Sequence, residues 1–94
     1  MSKITPDLLL ATARVNERKT LETSARGKKF TVTAHNDTLE FMPEESVSGE
    51  PKMVSRSEMQ RFCNEFAKSG VTSPGHYRPL TGSASYLLRL VELS

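Results

Sequence analysis

The sequence contains a single cysteine and no tryptophan. One cysteine excludes an intramolecular disulfide and any zinc site built on a cysteine cluster. The core must then come from four phenylalanines, two tyrosines and the aliphatic residues, which in 94 residues suits one small domain. No apolar run approaches the ~20 residues of a membrane span, and the first residues show no signal-peptide pattern. We therefore expect a cytoplasmic protein without membrane contact.

Catalytic signatures are also missing. The chain has no paired-carboxylate pattern, no Gly-rich phosphate loop and no nucleophile elbow. Cys63 and His76 could be imagined as a nucleophile and its base, but Cys63 falls on a predicted apolar helix stripe, where a structural thiol is the commoner case. His35 stands beside a predicted turn, and two histidines without an acid-rich pattern do not indicate a metal site. We expect no catalytic activity and no cofactor.

The clearest local pattern predicts a helix over residues 56–69. Ser55 and Glu58 have the spacing of a capping box, in which each side chain bonds to the backbone N–H of the other. Lys68 suits the dipole of the last turn, and Gly70 can take the positive φ that ends a helix. The apolar residues recur at the period of one helix face: Met59, Phe62, Cys63, Phe66 and Ala67.

Two further helices are predicted at the ends of the chain. Thr5, Pro6 and Asp7 form a helix start, and the helix should run from 6 to about 17. Its apolar stripe is predicted to begin at Leu8 and to continue through Ala11 and Val15. Residues 83–93 predict a closing helix whose core-facing residues are Tyr86, Leu87, Leu90 and Val91.

The middle of the chain predicts strands. Residues 30–34 and 38–42 alternate apolar and polar side chains on either side of a turn, which is typical of a β-hairpin. Residues 20–23 could add a third strand, and 52–54 could return briefly to the sheet. The polar stretch 44–52 is predicted to be a mobile loop. The expected fold is α+β, with an N-terminal helix, a two- to three-stranded antiparallel sheet and two helices packed on one face. The predicted core-facing strand residues are Leu21, Phe30, Val32, Ala34, Leu39 and Phe41.

Basic residues are concentrated between positions 14 and 29, ahead of an acidic block over 37–50 that has no basic residue. The basic block could neutralise phosphates and give salt-dependent, sequence-tolerant nucleic-acid binding. Threonines 31, 33 and 38 would then lie on an exposed sheet face against the nucleic acid. The alternative is that both blocks are ordinary solvated surface. The candidate nucleic-acid contacts are Arg14, Arg18, Lys19, Arg26, Lys28 and Lys29.

Protein interaction is the other functional class that the sequence favours. Tyr77 could bury its ring and leave its hydroxyl and Arg78 at an exposed rim, and Leu88 lies off the core-facing stripe of the closing helix. An outer strand could also pair with a partner chain, and a surplus apolar stripe could support a weak homodimer. The alternative for Leu88 is a central helix that the core buries on two sides.

Four short strings carry a family resemblance: GKKF at 27–30, VSRSE at 54–58, SPGHY at 73–77 and ASYLL at 84–88. Together they resemble small uncharacterised bacterial and phage domains, which occur alone or appended to restriction-type and other mobile-element proteins. The resemblance covers residues 20–93. It implies an accessory domain that binds DNA or a protein partner, and it supplies no catalytic residue. We therefore expect a protein-interaction module, with weak nucleic-acid binding as the alternative.

Overall fold

A four-stranded antiparallel sheet forms one layer of the fold, and its strands follow one another in chain order. The computed structural model describes residues 4–23, 27–44 and 51–94. The predicted α+β class is confirmed, with four strands instead of two or three. The elements are α1 (Pro6–Val15), β1 (Leu21–Glu22), β2 (Lys29–His35), β3 (Thr38–Pro43), β4 (Lys52–Val54), α2 (Arg56–Ser69), a 3-10 turn (Pro74–Tyr77) and α3 (Ala84–Leu93).

Helix α2 has the bounds that the sequence predicts. The backbone N–H of Glu58 donates to Oγ of Ser55 at 3.3 Å, and Gly70 ends the helix with a φ of 65°. The other half of the predicted capping box differs, because the Glu58 carboxylate accepts a hydrogen bond from the hydroxyl of Thr81. This side chain therefore links α2 to a distant part of the chain and does not close its own first turn.

Helix α1 begins as predicted but ends two residues early. The backbone N–H of Leu8 donates to Oγ1 of Thr5 at 3.1 Å, and Asn16 caps the other end. The predicted stripe is wrong, since Val15 is 72% exposed and Ala11 is exposed. Because three leucines follow one another, the sequence does not specify which face of α1 is buried. The contacts of α1 with β2 and α3 determine that face. The buried apolar residues of α1 are Pro6, Leu9, Leu10 and Ala13.

The hairpin of β2 and β3 pairs Phe30 with Pro43 at one end and His35 with Thr38 at the other. Asn36 in the turn has a φ of 53°, which asparagine tolerates better than most residues. The strands predicted at 20–23 and 52–54 are both present, as β1 and β4 on the two edges. The loop predicted over 44–52 falls largely on residues 45–50, which lie outside the described residues.

The core lies between the sheet and the helices. The rings of Phe30 and Phe41 lie 4.7 Å and 5.2 Å from the ring of Tyr86, which places α3 against the sheet. Phe62 of α2 packs on Tyr77 with ring centroids 4.8 Å apart. The strand residues predicted to face inward are buried, apart from Ala34, which is half-buried. None of the described helices is both long enough and apolar enough to cross a membrane.

Candidate functional site

Among the described residues, one face of the sheet points away from the helices and carries most of the exposed strand side chains. Directly opposed residues of an antiparallel pair share a face, so the strand registers assign its side chains. The three predicted threonines are among them, with Thr31 exposed and the other two half-buried. We call this surface the open face. Its residues are Glu22, Lys29, Thr31, Thr33, His35, Thr38, Glu40, Met42 and Met53.

Two methionines give the open face an apolar patch. Met53 of β4 lies directly opposite Glu40 of β3, and Met42 is two residues further along β3 on the same face. Diagonal neighbours of this kind have backbones roughly 7–8 Å apart, within reach of long side chains. Met42 is 36% exposed and Met53 is 52% exposed. The two thioether side chains therefore present adjacent apolar surface to solvent.

A histidine–carboxylate pair borders this methionine patch. Nε2 of His35 lies 2.8 Å from Oε1 of Glu40, across the hairpin, and both residues are partly exposed. The pair is ionic only when His35 is protonated, and in either state it can keep one hydrogen bond. The open face thus places apolar thioethers beside a polar pair, across the three strands β2, β3 and β4.

The predicted basic residues that the structure describes are spread around the β1 edge of the sheet and do not form one cluster. Lys29 is the first residue of β2. A terminal nitrogen of Arg14 donates a 3.3 Å hydrogen bond to the backbone oxygen of Asn36, just beyond the other end of that strand. Six steps of ~3.3 Å along β2 separate these two ends by about 20 Å. Lys28 is exposed before β2, and Arg18 and Lys19 are exposed between α1 and β1. Arg26 lies outside the described residues.

Carboxylates are interspersed along the same edge. Glu22 lies directly opposite Lys29 on β1, and the backbone N–H of Glu44 donates to the oxygen of Lys29 at 3.0 Å on the other side. Oε1 of Glu17 accepts from the backbone N–H of Ala34 at 3.3 Å, where β1 is too short to pair with β2. The positive charge along this edge is therefore partly offset by acidic neighbours.

Of the predicted partner surface at Tyr77, Arg78 and Leu88, only one residue is exposed. Tyr77 is fully buried, and its hydroxyl donates to the backbone oxygen of Val71. Leu88 is only 6% exposed, because the core surrounds α3 on more than one side. Arg78 alone is exposed.

Arg78 lies in the wall of a cleft of about 380 Å³ at the start of α3. The described residues of the wall are mostly small or polar, and Arg78 is the basic side chain among them. Thr81 in this wall is already bonded to Glu58. The lining residues are Pro74, Gly75, Arg78, Thr81, Gly82, Ala84 and Ser85.

The two residues considered as a catalytic pair, Cys63 and His76, are either buried or hydrogen-bonded to another side chain. Cys63 is 2% exposed, and burial raises the pKa of its thiol to about 11, which disfavours the reactive thiolate. Nε2 of His76 lies 3.0 Å from Oε2 of Glu65, and this hydrogen bond lowers the pKa of the Glu65 carboxyl. Across residues 4–23, 27–44 and 51–94, no three histidine, cysteine, aspartate or glutamate side chains are grouped so that they could hold a metal ion.

Sequence reasoning missed the methionine patch, although part of its signal is local. Met42 is out of phase with Leu39 and Phe41, and Met53 is out of phase with Val54, so strand alternation assigns both to the exposed side. Their adjacency depends on the β3–β4 register, and no local pattern specifies that register. No protein-family model, curated protein or solved structure matches this chain.

Proposed function

We propose that the chain is a non-catalytic accessory module that binds a partner protein through the open face, with Met42 and Met53 at the contact. The exposed, adjacent thioethers are the observation that carries this proposal. Methionine is flexible and polarizable, and it is enriched at protein interfaces and common on adaptable binding surfaces. The His35–Glu40 pair lies beside the two methionines and supplies a polar group of the kind found at an interface rim.

The charge pattern supports a protein partner over a nucleic acid. Lys29 lies directly opposite Glu22, and the backbone of Glu44 pairs with it on the other side, so acidic and basic residues alternate at this end of the sheet. The guanidinium of Arg14 is already engaged by the backbone at Asn36. Weak nucleic-acid binding remains the alternative. It would use the basic residues that the sequence predicts: Arg14, Arg18, Lys19, Arg26, Lys28 and Lys29.

The sequence resemblance to small bacterial and phage accessory domains supports the same role, and we propose that the protein acts in the cytoplasm. A second copy of the chain is one possible occupant of the open face. Sedimentation of the purified protein over a range of concentrations distinguishes a homodimer from a module that needs a different protein.

Partner capture with matched variants tests the proposal. The tagged chain would be compared with Met42→Lys/Met53→Lys and with Val15→Lys, which places the same charge on an exposed apolar residue of α1. Circular dichroism would first establish that all three chains fold alike. We expect the wild type and Val15→Lys to retain the same protein and the double variant to lose it. Retention by the double variant, or equal loss by both variants, would contradict a contact at Met42 and Met53.

A further inference from the structure

The sulfur atoms of the described chain fall into two environments. Met59 and Cys63 lie on the buried stripe of α2, with exposures of 0% and 2%. Met42 and Met53 are exposed, and both lie on the open face. Among these described sulfur atoms, the ones open to small oxidants therefore lie on the surface that we propose as the binding site.

We propose that Met42 and Met53 form an oxidation-sensitive pair, and that a peroxide converts both to sulfoxides and so abolishes apolar binding at the open face. In each reaction the thioether sulfur attacks one oxygen of hydrogen peroxide and the O–O bond breaks. The sulfur keeps that oxygen and gives up two electrons, and the second oxygen leaves as water after proton transfer. The order of oxidation stands on the structure alone, whereas the loss of binding rests on the proposed function.

Cys63 does not compete for the oxidant. Peroxide reacts with the thiolate, and burial both shields Cys63 and holds its proton by raising the thiol pKa to about 11. Met59 has the same chemistry as the exposed pair but no solvent contact, so it can react only when α2 leaves the core. The chain thus contains its own buried reference for methionine oxidation.

Oxidation changes the character of the open face. A sulfoxide is polar and chiral, and it disrupts methionine-rich interfaces. Met53 lies directly opposite the Glu40 carboxylate, so a sulfoxide there places a second strong acceptor beside it. Because methionine sulfoxide reductases reverse the reaction, loss and recovery of binding can both be observed.

Trypsin separates every sulfur concerned into its own peptide. Cleavage after lysine and arginine gives peptides 30–52 with Met42, 53–56 with Met53, 57–61 with Met59 and 62–68 with Cys63. The folded protein would be treated with hydrogen peroxide, quenched, digested and analysed by mass spectrometry. We expect Met42 and Met53 to oxidise at least about tenfold faster than Met59, and a urea-unfolded sample to remove the difference between the methionines. Native Met59 or Cys63 reacting as fast as the exposed pair would overturn the proposal.

A Met42→Leu/Met53→Leu variant separates this inference from the proposed function. Leucine approximates the volume of methionine and cannot form a sulfoxide, so this variant should bind the captured partner with or without peroxide. Wild-type protein should lose the partner after peroxide and regain it after treatment with the two sulfoxide reductases. Equal loss by the oxidised leucine variant would place the sensitive group elsewhere. If the untreated double lysine variant of the previous section still binds, the proposed function fails while the order of oxidation still stands.

Discussion

The hydroxyl of Thr81 donates a hydrogen bond to the carboxylate of Glu58, 23 residues earlier in the chain. Oγ1 of Thr81 also accepts from the backbone N–H of Ser83 at 3.1 Å, and the threonine is almost fully buried. The bond therefore joins the first turn of α2 to the connection that leads into α3. One buried hydroxyl thus bonds to the first turn of α2 and to the residue that precedes α3.

Thr81→Val tests the contribution of this link to stability. Valine keeps the shape of threonine but leaves the backbone N–H of Ser83 without its acceptor and Glu58 without its donor. We expect the free energy of unfolding in urea to fall by about 1–3 kcal/mol. Gln60→Ala removes an exposed bond to Asn64 on the same helix and should cost less than about 0.5 kcal/mol. Equal losses for the two variants would mean that the Thr81 link contributes little.

The end of α2 supplies a second prediction. Gly70 has a φ of 65°, and a Cβ added there would meet no atom within 4 Å. Gly70→Ala should therefore destabilise the fold by about 1–2 kcal/mol through backbone strain alone. Gly82→Ala is the matched control, since its site is equally open and its φ is not positive. That variant should be neutral or slightly stabilising in the same urea titration. If Gly82→Ala lowered the free energy of unfolding as much as Gly70→Ala, the left-handed backbone at Gly70 would not explain the loss of stability.

The elements that the sequence predicts best are those whose signals are local. Helix α2 has its cap, apolar stripe and stop within sixteen residues from Ser55 to Gly70, and its observed bounds match the prediction. The β-hairpin likewise follows from alternation around the turn at Asn36. In both cases neighbouring residues determine the geometry, so no knowledge of the rest of the fold is needed.

Predictions that depended on distant contacts were less successful. The run Leu8–Leu9–Leu10 offers several possible buried faces, and the helix uses the one that meets β2 and α3. Leu88 is off the main stripe of α3, yet it is buried because the core lies on two sides of that helix. The methionine patch depends on the register between β3 and β4, which a local pattern cannot specify. Candidate sites that form between strands are therefore harder to predict than helix ends.

A pH dependence follows from the contact between His76 and Glu65. The hydrogen bond from His76 lowers the pKa of Glu65 below its ordinary 4.5. A lowered folded-state pKa means that the stabilisation is fully present above the unfolded pKa and is lost as pH falls through the folded value. Glu65→Gln should therefore lose less stability than the wild type on acidification from about pH 6 to pH 3.

Urea unfolding at a series of pH values measures this difference. Glu44→Gln, at an exposed carboxylate outside the helices, is the control and should follow the wild-type curve more closely. Asp7 retains its own acid dependence in every variant, because its hydrogen bond with Arg56 lowers the pKa of that carboxyl. Parallel curves for the wild type and Glu65→Gln would show that His76 does not stabilise the Glu65 carboxylate.

The alternative of nucleic-acid binding makes a separate prediction. Backbone amide shifts would be followed by NMR during titration with a mixed-sequence DNA duplex, at ~50 mM and ~200 mM salt, where phosphate contacts weaken sharply. Because the described basic residues do not form one cluster and Glu22 lies opposite Lys29, we expect no shifts at either salt. Shifts over residues 14–29 that fade at the higher salt, and that Lys28→Glu/Lys29→Glu abolishes, would instead establish the β1 edge as a phosphate-binding surface. Binding that survives the double glutamate variant would leave Arg14, Arg18, Lys19 and Arg26 as the candidate phosphate contacts.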